Sequence, residues 1–341
     1  MERAGTKAKG TIGGHTRRLS PAAAKSWLRH RHPEDSIPMH IVCVGAGLMG
    51  SRLALLSAAH GVEATLVGRD VQRARRALED GALEAGDQRL ASRVEVTDDY
   101  AAAAGGDVVL ESIPESLPEK QQLLALLDAI VPLGIPVASQ TSSFAPARLG
   151  EHCAHPERIF VAHFIHPAAR VPLAEVCRPA RCDAAAAARL EAWLQAIGMR
   201  AIHVQKPLPG FIVNRLQFAL LREALHIVAS GGADVEDVEA IVREGLAPRW
   251  MATGPIESAD IGGLDTFADV AAALLPALDR STEVPAALAE LVRCGYRGAK
   301  SGRGFFTWTP EQVAAARARR DRAYEAAKAL REPADRPRNG S

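Results

Sequence analysis

After Pro38 the chain falls into alternating apolar and polar blocks. Met39-His40-Ile41-Val42-Cys43-Val44 is an apolar run of strand length, and glycines follow it without a gap. Leu48–His60 has the composition of a helix stopped by Gly61, and Val62–Val67 is again strand-like. The rhythm continues through Val94–Val96 and Val108–Leu110, a helix around Pro118–Ile130, and a strand at Pro136–Gln140. Short strands at Ile159–Phe164 and Leu173–Val176 are separated by Pro167 and Pro172. Apolar strands alternating with helices predict a parallel sheet covered on both faces. From Gly210 strands give way to helices at Asn214–Ser230, Val235–Glu244, Thr266–Leu278 and Pro285–Cys294, then a charged Ala/Arg helix at Pro310–Glu332 and a tail at Pro333–Ser341. The alanine blocks at 101–104 and 184–188 read as a compositional habit, since no fixed period links them.

The glycines refine this picture. Gly45-Ala46-Gly47-Leu48-Met49-Gly50 stands between a strand and a helix inside one βαβ unit, the context in which G-x-G-x-x-G marks a dinucleotide-binding turn. Gly45, Gly47 and Gly50 allow the tight turn and the backbone's approach to a pyrophosphate, whose charge rests on the helix N-terminus. The expected fold class is therefore α/β, a Rossmann-type N-terminal domain followed by an all-α C-terminal domain. The boundaries read as a basic arm at 1–37, an NAD(P)-binding domain at 38–205, a helical domain at 206–310, and a charged helix and tail at 311–341.

Composition excludes several alternatives. The 341 residues carry 41 Lys+Arg against 40 Asp+Glu, and a net charge of +1 gives no global field to hold nucleic acid or an anionic membrane. The most apolar stretch, 123–138, is broken by Asp128, Pro132, Gly134 and Pro136, so no membrane span is expected. Five cysteines without a C-x-x-C pair argue against a disulfide framework and a zinc site. The expected setting is the cytoplasm, with no metal. Residues 1–32 hold eight Lys/Arg and one acid, read as a disordered arm because no apolar signal region accompanies them.

Seven segments, spanning about 39–310, together resemble the 3-hydroxyacyl-CoA dehydrogenase family: GAGLMGSRLA (45–54), ESIPESLPEKQQL (111–123), SQTSS (139–143), HFIHPAARVPLAEV (163–176), PGFIVNRL (209–216), GPIESADIGGLDT (254–266) and GAKSGRGFF (298–306). The resemblance implies a catalytic dyad of His163 and Glu175. Oxidising a secondary alcohol needs a base for the hydroxyl proton, and an imidazole held by a carboxylate suits that task. It also implies that Ser142 and Asn214 contact the substrate oxygen, that Leu48 and Met49 join the glycines at the cofactor, and that Glu115 and Lys120 stand on its nicotinamide side. Read without the resemblance, Glu115 and Lys120 would be a surface charge pair at a helix start. A homodimer formed through the helical domain is implied too.

The activity implied is NAD(P)-dependent interconversion of a 3-hydroxyacyl thioester and its 3-oxoacyl form, within fatty acid metabolism. Alternatives are a free polar hydroxy acid of the gulonate or carnitine type, a hydroxyacyl group on a carrier protein, and, outside enzymes, a crystallin-like nucleotide-binding structural protein. Departures from the family pattern matter here. His166 stands where asparagine is usual, Gln140 replaces another asparagine, and Arg170 enters a loop that is usually apolar, where it could pair with an anionic substrate group. Gly68 occupies the position of the acidic residue that reads the ribose 2′-OH, with Arg69 and Arg73 just beyond; this favours NADP over NAD. Asp70, two positions beyond Gly68, could still read the ribose as in an NAD enzyme, and it also suits the N-cap of a helix from Val71.

Overall fold

The computed structural model describes residues 39–330, so the readings for 1–37 and for 331–341 fall outside the described residues. One eight-stranded sheet organises the first half, in the order β3-β2-β1-β4-β5-β6-β7-β8. The strands are β1 His40–Val44, β2 Glu63–Val67, β3 Val94–Thr97, β4 Val108–Glu111, β5 Val137–Ser139, β6 Ile159–Phe164, β7 Leu173–Cys177 and β8 Arg200–His203. Neighbours from β3 to β6 run parallel, β7 is antiparallel to β6, and β8 is parallel to β7. Covering helices explain why the strand runs are apolar throughout: Ile41, Val42 and Cys43 are inaccessible to solvent. The chain order reverses between β1 and β4, which opens a crevice at their C-terminal ends, and the glycine turn leaves β1 at that point.

Helices α1 (Leu48–Ala59), α2 (Val71–Ala85) and α3 (Leu117–Ile130) follow β1, β2 and β4 as the pattern predicts. The alanine block at 184–188 has a structural place as well. It opens α4 (Ala184–Ala196), because Asp183 accepts hydrogen bonds from the N–H groups of Ala185 and Ala186 and so caps the run. Trp193 on α4 is fully buried and donates from Nε1 to Ser57 on α1 at 3.3 Å. A run of alanines carries no hydrophobic period, which hides this helix in the sequence, and β8, Arg-Ala-Ile-His with exposed ends, lacks the apolar run of the inner strands.

The second half is helical: α5 (Val213–Ala229), α6 (Val235–Ala240), α7 (Ala247–Ala252), α8 (Pro255–Gly262), α9 (Leu264–Leu274), α10 (Ala286–Arg293) and α11 (Pro310–Ala329). The expected helix 235–244 instead passes through a π turn at Ile241–Leu246 into α7. Gly263, at φ +92°, separates α8 from α9. None of α6 to α11 contributes a fully buried residue. Ile241, Ile256, Ile261 and Leu264 all stand open to solvent. No helix among the described residues is long and apolar enough to cross a membrane.

Candidate active site

A cavity of about 890 Å³ opens at the crevice between β1 and β4 and reaches the start of α5. At one end it is walled by the glycine turn. Gly45 lies at φ +119°, and a Cβ there would sit 2.6 Å from the Ser112 carbonyl carbon. At Gly50 a Cβ would come within 2.0 Å of the Gly45 oxygen. Gly47 has only Ser112 O within 4 Å of such an atom, at 3.9 Å, so the space beside it is open to a ligand. The first turn of α1 has no side-chain cap and no acidic residue, leaving its N–H groups for an anion. Leu48 and Met49 join this wall. The turn thus fits the pyrophosphate of a dinucleotide on its own geometry.

Arg69, Asp70 and Arg73 line the same end of the cavity. Asp70 caps α2 by accepting from the Arg73 N–H at 2.9 Å, as a residue at that position should. At Gly68 a Cβ would meet Ala46 Cβ at 2.7 Å and Ala74 Cβ at 3.3 Å. The close packing of the glycine turn on α2 therefore leaves no room for a carboxylate-bearing side chain there.

At the other end the antiparallel register of β6 and β7 sets His163 directly opposite Glu175. His163 Nδ1 lies 2.8 Å from Glu175 Oε2, and the two side chains are nearly buried. Glu175 Oε1 accepts from the backbone N–H groups of Ile212 at 2.8 Å and Val213 at 3.0 Å. The chain reaches this contact through Gly210 at φ +78° and Phe211 at φ +47°, a conformation rare for a bulky side chain. Phe211 is buried with its ring 5.6 Å from the His163 ring. Burial pushes the Glu175 carboxyl up, but the hydrogen bonds from His163, Val213 and Ile212 outweigh it and leave the group below the ordinary carboxylate range. An ionised carboxylate can only accept, so Nδ1 of the neutral ring carries the proton and Nε2 keeps its lone pair. One carboxylate thus orients the imidazole and also ties it to the first turn of α5, which brings Asn214 and Gln217 to the cavity.

Between these ends lies a buried polar chain. The surface-pair reading of Glu115 and Lys120 is overturned, since Lys120 is 1% exposed. Its Nζ donates to both oxygens of the inaccessible Glu111, at 2.8 and 3.0 Å, and to Ile113 O at 3.1 Å. It also lies 3.5 Å from Glu115. Glu111 further accepts from the Ile113 N–H at 2.7 Å and from Ser139 Oγ. Glu115 Oε1 accepts from Thr141 Oγ1, from the Ser142 N–H at 3.1 Å and from Ser142 Oγ at 3.5 Å. The loop bearing Ser142 is therefore held by a carboxylate that Lys120 holds in turn. The sequence reading missed Glu111 and Ser139; their signal was a charged residue closing an apolar strand with no surface partner. Gln140 donates to Ser112 Oγ and leaves a buried Oε1 without a hydrogen-bond partner among the described residues.

His166 lines the cavity, whereas Arg170 does not. Arg170 points outward and pairs with Glu325 of α11 at 3.1 Å, so its place on the loop after His166 does not bring it to the cavity.

Residues 40–207 match the model of the 3-hydroxyacyl-CoA dehydrogenase NAD-binding domain, and residues 210–308 match the C-terminal domain of the same proteins. The 5-formyl-3-hydroxy-2-methylpyridine 4-carboxylate 5-dehydrogenase of Mesorhizobium japonicum is 32% identical over 305 residues, covering 86% of this chain and 98% of that one. A solved structure of an enzyme of that activity, described as an NAD+-dependent dismutase, aligns with a TM-score of 0.77 at 30% identity, covering 86% of this chain and 98% of that chain. L-Carnitine dehydrogenase of Streptomyces coelicolor is 37% identical over 232 residues, 65% of this chain and 73% of that one. A 3-hydroxybutyryl-CoA dehydrogenase of Mycobacterium tuberculosis is 32% identical over 280 residues, 78% of this chain and 96% of that one.

Proposed function

The chain belongs to the 3-hydroxyacyl-CoA dehydrogenase family, NAD-dependent oxidoreductases acting on CH–OH groups, and from that premise we propose that it interconverts a 3-hydroxyacyl compound and its 3-oxo form with His163 as general base. The observation that carries this reading is that the His163–Glu175 pair, at 2.8 Å, opens on the same cavity as the glycine turn. His163 Nε2 takes the hydroxyl proton as the alcohol is oxidised and returns it on reduction. Glu175 stabilises the imidazolium that forms. Ser142 and Asn214 steady the oxygen whose charge changes, the first held by Glu115 and the second by its place on the first turn of α5. The nicotinamide, when bound, accepts or returns the hydride.

The thioester is the leading substrate form. A free hydroxy acid is the second, supported by the polar lining of His166, Asn214 and Gln217 and by relatives named for a pyridine carboxylate and for carnitine. The dyad speaks against a purely structural, crystallin-like role. We propose NADP(H) as the preferred dinucleotide, because Gly68 carries no carboxylate, the Asp70 carboxylate on the same wall is engaged as the cap of α2, and Arg69, exposed on the cavity wall, can pair with a 2′-phosphate. A homodimer through the helical half is supported by its uncovered isoleucines, and sedimentation at twice the 36.2 kDa chain mass tests it.

The deciding assay follows nicotinamide absorbance with NAD+ and NADP+ against 3-hydroxyacyl thioesters and free 3-hydroxy acids. Turnover of at least one class supports the reading. Absence of turnover with all of them, by protein that still binds the dinucleotide, refutes it.

A further inference from the structure

The buried polar chain between the two ends of the cavity closes into a ring. Glu111 accepts from Ser139 Oγ, Ser139 Oγ accepts from the Thr141 N–H at 3.2 Å, Thr141 Oγ1 donates to Glu115, and Lys120 links Glu115 back to Glu111. Lys120 Nζ has three acceptors around it, both Glu111 oxygens and Ile113 O, which is the full capacity of an ammonium. Glu111 and Glu115 meet only donors, as carboxylates do. Two negative charges therefore stand against one positive charge, and the surplus is not central to the ring. The Lys120 side chain is 1% exposed and that of Glu115 38%, so the uncompensated charge faces the cavity at Glu115.

The sheet order fixes where along the cavity that charge lies. The glycine turn leaves β1, Ser112 and Glu115 follow β4, Ser142 follows β5, and His163 is on β6, in the spatial order β1-β4-β5-β6. A dinucleotide with its pyrophosphate on the turn and its redox ring within hydride reach of a substrate at His163 must lay that ring across the stretch lined by Glu115 and Ser142. The lining cations Arg69 and Arg73 follow β2, on the far side of β1. The other carboxylate of the site, Glu175, has its oxygens occupied by the His163 ring and the α5 N–H groups.

We propose that the Glu115 carboxylate makes this site discriminate between the redox states of its dinucleotide, favouring the oxidised, cationic ring over the reduced, neutral one. This rests on the reading of the cavity as a dehydrogenase site. The two forms share every other group, so one unit of charge beside the ring acts on their difference alone, by about tenfold at the screening of a protein surface. Glu111 and Lys120 are then positioning residues, which hold the carboxylate at the cavity without cancelling it. The bound couple shifts toward its oxidised form by the same factor, so the bound reduced form is the stronger hydride donor. The hydride's electron pair goes to the carbonyl carbon, and the oxygen takes its proton from His163.

Calorimetric titration of the full chain with NAD+ and NADH, and with NADP+ and NADPH, tests this without requiring turnover. The ratio of Kd values within a pair cancels the contacts that the two forms share, and ADP-ribose, which lacks the redox ring, reports the glycine turn and adenine end alone. Glu115→Gln should raise the ratio of oxidised to reduced Kd by about tenfold and leave ADP-ribose within about twofold. Glu115→Asp keeps the charge and should hold the ratio within about threefold of wild type. Glu115→Ala should give the same shift as Glu115→Gln, so the comparison survives if one of the two fails to fold. An unchanged ratio in a charge-removing variant that still binds ADP-ribose, an equal shift in Glu115→Asp, or wild-type protein that binds no dinucleotide overturns the proposal. Failure of the dehydrogenase reading shows separately, as no turnover of any alcohol or ketone by protein whose ratio still depends on Glu115.

Discussion

Replacing Glu175 by glutamine removes one charge while keeping the side chain's size. The native carboxylate serves two groups of donors: His163 Nδ1 on one oxygen, and the Ile212 and Val213 N–H groups on the other. An amide has one acceptor oxygen. If that oxygen stays with the backbone pair, the NH2 faces Nδ1 and forces the ring proton onto Nε2, so the base is lost. If it turns to His163, two backbone donors lose their acceptor. Hydrogen bonds to a charged acceptor contribute about 1.5–3 kcal/mol against about 0.5–1.5 for neutral ones, so Glu175→Gln should cost about 2–3 kcal/mol of stability. At about 1.4 °C per kcal/mol for a chain of 341 residues, Tm should fall by about 3–4 °C. Turnover should fall by about 10²-fold, the lower end of what acid–base catalysis contributes, with kcat and kcat/KM falling together. The carboxyl is held below its ordinary range, so the stability it provides is full above the unfolded value of about 4.3 and is lost as pH falls through the lower folded value. Stabilities of wild type and variant should converge on acidification. Steady-state kinetics and thermal melts from neutral to acid pH check both limbs. A variant less stable but with kcat within threefold of wild type would show Glu175 to be only a clasp between β7 and α5.

Lys120→Met should destabilise by about 3–5 kcal/mol, because it strands the Glu111 carboxylate inside the protein; Glu111→Gln/Lys120→Met should recover part of that loss in denaturant titration. Arg69→Ala should lower NADPH affinity by about tenfold and spare NADH, and fluorescence titration showing an unchanged ratio would count against the charge argument.

The sheet was legible because its strands are buried on both faces, so Ile41–Val44 and Ile159–Ala162 read as unbroken apolar runs. The dyad was legible as a pair because two short strands with prolines between them bring His163 and Glu175 into register. The second use of Glu175, as acceptor for Ile212 and Val213, was not, since it depends on the positive φ of Phe211, which residue type disfavours. The burial of Lys120 was not legible, because local sequence shows Glu115 and hides that Glu111 and Ser139 lie on adjacent parallel strands. Arg170 was misplaced because its partner lies 155 residues away on α11.

The central claim is that His163 moves the proton while the glycine turn binds the dinucleotide independently. Comparing His163→Gln with wild type in NADH binding and in turnover separates these roles within one preparation. The account predicts NADH affinity within about threefold of wild type and kcat lower by about 10²–10⁴-fold. Near-normal kcat in the folded, NADH-binding variant would contradict it.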